Sequence, residues 1–406
     1  MKYRFLLSTL FISSSFFANA QYGGKTYAIT GGATGDYSWK NIRQVDIDSG
    51  KVTNDILVNG SNVNFIDGAS NTELIPAAVA QISANDFVAA AAFDVQTNQL
   101  FYATMHTGQL RWINLNNQSG QLNVYTLQQQ FVSSPDITDE SVNVTRMCIG
   151  ADGNGYALTN DGNHLYRFTT GNKPVVTDLG NLVDADSNNG LSIHNKCSSW
   201  GGDMVADAYG KLYVITATHS VFVVDVNTRI ATFSGGITGL PGTYTTNAAT
   251  VDDNGNIVVA SSAKSQGFYK VNLASLAATK IPGSDTTYSI SDLANANLLL
   301  QNESDALGGL TKIVPASANN GSGHIFPNPT KGPVFNVAFD GLPNGEYLIN
   351  VTDLSGKAIF SKSVNVGIAG QVETINVTSG LAVGMYLVKV SSADKQNSFT
   401  EKVVIN

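Results

Sequence analysis

The strongest constraint on this chain is a unit that recurs along most of its length. Ala92-Phe93-Asp94 leads through Gln96-Thr97-Asn98-Gln99 to Leu100-Phe101-Tyr102-Ala103-Thr104. Ile149 to Asp152 leads through Gly153-Asn154-Gly155 to Tyr156-Ala157-Leu158-Thr159, and Val205-Ala206-Asp207 leads through Tyr209-Gly210-Lys211 to Leu212-Tyr213-Val214-Ile215-Thr216. Thr250-Val251-Asp252 leads through Asn254-Gly255-Asn256 to Ile257-Val258-Val259-Ala260-Ser261, and Ser291-Asp292-Leu293 to Leu298-Leu299-Leu300 is a weaker fifth copy. Each copy is an apolar strand, a tight turn and a second apolar strand. Asp and Asn bond their own backbone in such a turn, and Gly supplies the positive φ.

A third strand follows in four copies: Leu110–Leu115, Leu165–Phe168, Val221–Val226 and Phe268–Leu273. Its alternation predicts a sheet with one wetter face. The aligned Asp94, Asp152, Asp207 and Asp252 stand 58, 55 and 45 residues apart. That spacing fits the blades of a β-propeller, each of about four strands with long loops. Thr26–Thr30 and Ile42–Ile47 match second and third strands but lack a first. A truncated start of this kind lets the first and last blades complete one another and removes the open sheet edges. The count is six blades, with five and seven also open because residues 57–87 do not align.

Composition agrees with an all-β extracellular chain. Gly contributes 39 residues and charged residues only 13%, a profile of many turns and few exposed helices. The net charge of −8 without a basic run argues against nucleic acid and anionic membranes as partners. Residues 1–20 carry Lys2 and Arg4, then the apolar Phe5–Phe17, then Ala18-Asn19-Ala20. This is the pattern of a secretory signal peptide cut before Gln21. No later apolar run reaches the length of a membrane span.

Residues 315–324 are small, polar and glycine-rich and read as a linker after a propeller domain of residues 21–314. Beyond it the pattern changes. Ile325-Phe326-Pro327-Asn328-Pro329 is closely followed by Gly332, and the two prolines exclude helix or central strand. Phe335, Val337 and Phe339, then Tyr347, Ile349 and Val351, keep a period of two. Six or seven short strands in residues 325–406 predict a small Ig-like antiparallel β-sandwich.

Four motifs in order, Pro327-Asn328-Pro329-x-x-Gly332, Leu354-x-Gly356-Lys357, Gly384-x-Tyr386 and Lys402 on the last strand, resemble the type A C-terminal sorting domain of type IX secretion. The resemblance covers about a fifth of the chain. It implies delivery to the surface of a Gram-negative cell or to the medium, with the type IX machinery and its sorting protease as partners. It further implies removal of the domain and attachment to surface lipopolysaccharide; the accessible linker places the cut near Gly321–Ile325. The D-x-x-G-x-[LIV]-Y pattern of the repeats is similar to NHL-type propellers.

The repeats carry no visible catalytic motif: G-x-S-x-G, H-E-x-x-H and Cys/His zinc spacings are absent. Asp184, Asp186 and Asn188 alternate ahead of Gly190, as oxygen ligands do in the first half of a calcium loop. Gly190 falls one residue late, however, and Asn195 occupies the position of the bidentate Glu, so a plain Asx-rich loop competes with a weak calcium site. Cys148 and Cys197 are the only cysteines, and an even count in an exported chain suggests one disulfide. Two unpaired thiols are the alternative. Among His106, His164, His194, His219 and His324, only His194 sits beside a polar loop and an aromatic, Trp200.

Loops entering innermost strands are where propellers concentrate binding. Here those are residues 129–146 with Asp136, Asp139, Glu140 and Arg146, residues 183–203, and residues 238–248 with Tyr244. Two functions follow: an exported binding module for glycan or protein ligands, or a propeller hydrolase or lyase with carboxylates or a metal at the channel mouth.

Overall fold

A computed structural model describes residues 25–33, 35–58, 60–74, 87–105, 107–116, 121–127, 131, 138–263, 265–286, 288–306, 323–326, 330, 332–339, 342–353, 357–367, 371–377, 384–392 and 398–405. The signal peptide, residues 315–322 of the linker, Pro327-Asn328-Pro329, Gly356, Asp136 and His106 lie outside them, as does the His324 side chain. The chain divides into two compact units, residues 1–313 and 314–406. No described helix is long and apolar enough to cross a membrane.

The first unit is a ring of five blades among the described residues. Its inner strands are Ile290–Ala294, Val88–Asp94, Val144–Ile149, Asp203–Ala206 and Ala248–Val251. They pack on one another in that order, and the last returns to the first. Each is followed outwards by three antiparallel strands. The N-terminal Thr26–Thr30, Asn41–Asp46 and Lys51–Leu57 build on Ile290–Ala294, with Tyr27 opposite Ala294 and Ala28 opposite Leu293. The weak fifth copy and the truncated N-terminal piece are therefore halves of one blade, which makes five where counting them separately gave six. Closure between the two ends of the ring is the expected one. Part of the unaligned segment 57–87 becomes Val63–Asp67, a parallel fifth strand outside Leu122–Leu127. Val183–Asp184 adds in the same way to Ile230–Gly236.

Five apolar cores fill the five gaps between blades. Alternation along one inner strand shows why: Ala90 and Ala92 face the core shared with the Val144–Ile149 blade, while Ala91 and Phe93 face the core shared with Tyr27 and Ile29. Both faces of every sheet are thus apolar. The wetter face expected of the third strands is reduced to half-buried positions such as Arg167, Val223 and Lys270, and it is lost where Leu110, Arg111, Trp112 and Ile113 are all buried. Arg111 is accommodated by two bonds to Gln109 Oε1. Val88–Asp94 carries four alanines and Ala248–Val251 two, small side chains where the inner strands crowd together. Gly155 answers the same crowding, since a Cβ there would stand 2.0 Å from the Phe168 ring.

The repeated aspartates fold the turns. Asp94, Asp152, Asp207 and Asp252 each accept the backbone N–H two residues on, from Gln96, Asn154, Tyr209 and Asn254. Asp252-Asp253-Asn254-Gly255-Asn256 is accordingly a hairpin turn. A second set escaped the sequence reading: Asp46, Asn114, Asp225 and Asn272 do the same at the turns into the outer strands.

The second unit is a two-sheet sandwich. His324–Phe326, Val334–Ala338 and Val372–Asn376 form one sheet; Ala358–Val366, Gly345–Thr352, Gly384–Ser392 and Ser398–Ile405 form the other. Phe335, Val337, Ile349, Val351, Val388 and Val403 close the core between them.

Candidate functional site

The centre of the ring holds two carboxyl groups that no motif announced. Asp203 opens one inner strand and Asp292 sits within another, and both are 0% exposed. An inner strand pairs on one side only, so its other edge presents N–H groups that must find acceptors. Asp203 Oδ2 accepts from Ala249 N at 2.7 Å and Leu293 N at 3.3 Å, and its Oδ1 accepts from Met204 N at 2.7 Å. Asp292 Oδ1 accepts from Ala91 N at 3.1 Å. Two short side chains thereby tie four of the five blades together.

Asp292 Oδ2 receives no nitrogen or hydroxyl donor, and the Asp292 side chain lies in hydrogen-bonding reach of the Asp203 carboxyl. Two carboxylates cannot both ionise at that distance in a dry interior. Burial raises the pKa of Asp203, against its backbone donors. Burial, and then the Asp203 charge, push Asp292 higher still. Asp203, with three N–H donors, is the more readily ionised of the two, and Asp292 holds its proton more tightly. Cys148 shares this environment: burial first, and then the nearby acids led by Asp203 and Asp152, raise its thiol pKa. It is therefore a poor nucleophile. The cavity beside the pair is about 20 Å³ and is lined by Ala91, Met147, Cys148, Met204, Thr250 and Leu293 among others. That is room for one water and for no substrate.

Arg146 is also wholly buried, and its guanidinium donates to the carbonyls of Thr159, Ser199 and Gly201. Burial lowers its pKa to about 10 while Asp203 and Asp161 favour its charge. It holds the loop entering the next blade.

Other expected site residues are likewise committed to the fold. Asp139 caps a one-turn helix through Ser141 N, and the Glu140 carbonyl accepts from Asn160 Nδ2. The Tyr244 hydroxyl lies 2.7 Å from Gly267 O and 3.1 Å from Val259 O. His194 places Nδ1 2.7 Å from Asp161 O and Nε2 3.1 Å from Leu182 O, a cross-link between two loops. In the acidic loop, Asp184 Oδ1 accepts from Ile193 N. Asn188 is buried, donating to Ala231 O and accepting from Phe233 N. The structure thus uses Asp184 to brace the loop internally and Asn188 to seat it on the neighbouring blade. Among the described residues no group of three or more His, Cys, Asp or Glu side chains could hold a metal ion.

The disulfide expectation is corrected: both cysteines are free, Cys148 buried and Cys197 exposed. Cys148 lies on an inner strand within the core, whereas Cys197 lies in the one-turn helix Lys196–Ser199 of the loop. An open concavity of about 230 Å³ lies on the opposite face between the first and last blades, lined by Asp46, Asp48, Asp253 and Lys270 among others.

In the second unit the sorting motifs converge on the last strand. Gly384 stands opposite Ile405, Tyr386 opposite Val403 and Leu387 opposite Lys402. Thr330, directly after Pro329, donates its N–H to Val404 O. Gly332 has φ +86°, a conformation that favours glycine. Lys357 N donates to Asp353 Oδ1, closing a hairpin.

Comparison with known proteins gives one family match, a secretion system C-terminal sorting domain over residues 324–406. No curated protein sequence matches. Solved structures with similarity include PorZ, a surface component of the type IX secretion system of Porphyromonas gingivalis. Identity is 13% over 95% of this chain and 53% of that one, with TM-score 0.29, so the chain spans about half of PorZ. They also include the Cps50 (Swd1) β-propeller domain of Myceliophteria thermophila (9% identity, 94% and 97% coverage, TM-score 0.32). Virginiamycin B lyase of Staphylococcus aureus is a third (9%, 78% and 84%, TM-score 0.28). Residues 324–406 are a secretion-system C-terminal sorting domain, and they address the propeller that precedes them to the cell surface or the medium.

Proposed function

We propose that the propeller is a binding module for a glycan or protein ligand, carried out of the cell by the type IX machinery. One observation carries this reading. The two carboxyls at the ring centre are spent on inner-strand N–H groups and on each other, beside a cavity with room for one water. Glycoside hydrolysis needs carboxyls about 5–10 Å apart with a sugar between them, and this pair is in hydrogen-bonding contact. Function is then left to the loops at the rim, as in many propellers. The sorting protease acts ahead of Gly323, where a Cβ would stand 2.2 Å from the Phe399 ring and the packed domain begins. Surface lipopolysaccharide is the attachment point.

The test is to apply the mature chain to an array of neutral and acidic glycans and to immobilised matrix proteins, with mass spectrometry of everything released. Retention of a probe that is recovered intact is expected. Shortened or eliminated products would overturn the reading.

A further inference from the structure

The loops between second and third strands open on the same face as the loops entering the inner strands. On that face, Trp39 precedes the strand Asn41–Asp46 and Phe87 precedes the inner strand Val88–Asp94. Trp39 O accepts from Val88 N at 3.0 Å, which sets the two aromatics on adjoining strand ends. Tyr37 meets Trp39 edge-on, with ring centroids 5.8 Å apart at 69°. Tyr37 is 53% and Phe87 45% exposed. Apolar rings this open gain little from burial.

The backbone makes their placement costlier. Trp39 has φ +47° and Phe87 φ +44°, the left-handed region that bulky side chains avoid. Both are held there: Trp39 by its bond to Val88, and Phe87 by its carbonyl, which accepts from Met105 N at 2.9 Å. Asp36 fixes the Tyr37 loop through Gly32 N and Ser38 N. Trp39 is half-buried against the core below and presents its remaining face beside Tyr37, whereas Phe87 is an exposed ring kept on a strained backbone, a sign of a contact surface.

The chemistry of the surroundings selects the ligand class. Of the cations beside the patch, Lys40 acts on the Asp36 carboxylate, and Arg43 is occupied by Asp55, Thr30 and Gly31 and stacks on Tyr288 at 4.2 Å. Both are thus balanced or held within the fold, and the chain carries net charge −8, which disfavours a phosphate, sulfate or uronate among the described residues of this patch. The strand Asn41–Asp46 is paired on both sides, so no strand edge is offered to an extended peptide. The π faces of aromatic rings attract weakly positive C–H groups, and the C–H faces of a pyranose present these beside hydroxyls.

We propose that Tyr37, Trp39 and Phe87 form a stacking platform for a neutral hexose or pentose chain. This rests on the binding-module reading and deepens it. Neutral hexasaccharides of glucose, mannose and xylose, titrated into the mature chain and followed by tryptophan emission, test it. Tyr37→Ala and Phe87→Gly should each weaken the bound sugar by about tenfold, the factor of one aromatic contact. Phe87→Gly should at the same time keep or raise the melting temperature, since glycine accepts that φ without strain. A Phe87→Gly variant that melts earlier assigns the ring to the fold instead. Unchanged affinity in the double variant, or no hexasaccharide bound at millimolar concentration, overturns the platform. If a protein probe is still retained, the binding reading survives that loss; if sugar is cleaved, the binding reading itself fails.

Discussion

Replacing Asp292 with Asn should stabilise the propeller at neutral pH and remove most of its pH dependence. In the native protein the Asp203–Asp292 pair retains a proton that free aspartates release near pH 3.9, because burial raises both groups and the Asp203 charge raises Asp292 further. Between that pH and the raised values, the folded state binds more protons than the unfolded one. Stability therefore falls as pH rises. One excess proton is worth about 1.4 kcal/mol per pH unit, so roughly three units give at most about 4 kcal/mol. An Asn amide keeps an oxygen for Ala91 N and offers an N–H to the Asp203 carboxylate, which replaces the shared proton at any pH.

All three tryptophans, Trp39, Trp112 and Trp200, lie in the propeller and none in the sorting domain. Tryptophan fluorescence in urea at pH 4.5, 6 and 7.5 therefore reads the ring alone. The native midpoint should fall across that range while the Asp292→Asn midpoint stays nearly level. Asp207, also raised by burial, is common to both and leaves a small residual slope. The carboxylates lowered by turn bonds, such as Asp46 and Asp67, lose their contribution only below about pH 4, outside the window. Equal slopes, or a variant less stable at pH 7.5, would refute the reasoning.

Three further outcomes follow. A thiol reagent should titrate one cysteine, Cys197, in the folded chain and a second, Cys148, only on unfolding; a chain with no reactive thiol in either state would reinstate the disulfide. Asn188→Ala should cost about 1–3 kcal/mol, because both ends of a buried amide lose their partners, and millimolar calcium should leave the melting temperature of the parent chain unchanged. In the sorting domain, Glu401 accepts Ile325 N at 2.8 Å and is raised to about 7 by burial. Stability from the protonated group is lost as pH rises through 7, so Glu401→Gln should slow hydrogen exchange at Ile325 above that pH, and faster exchange would contradict it.

Much of the fold was legible because turn chemistry is local. Asp94, Asp152, Asp207 and Asp252 bond residues two positions away, so their spacing reports blades directly. The number of blades was less legible because Ile290–Ala294 finds Thr26–Thr30 across most of the chain, and nothing near either strand encodes that pairing. The ring centre was hidden for the same reason. Asp203 and Asp292 look like stray acids in apolar strands until closure brings them together. One faint signal exists: Cys148 and Asp203 stand at the same offset before the turn aspartates Asp152 and Asp207, which marks them as axis-facing. The structural roles of loop residues such as His194 and Asn188 were hidden because their carbonyl partners belong to other loops and other blades.

The central claim is that residues 325–406 are an address and the ring before them is an independent cargo. Fractionation of a type IX-competent cell, with mass spectrometry of the mature C-terminus, tests it directly. The full chain should appear on the surface or in the medium, ending within residues 315–325, while a chain lacking residues 325–406 should remain in the periplasm with an unchanged urea midpoint. Export of the truncated chain, or surface protein that still ends at Asn406, would contradict the account.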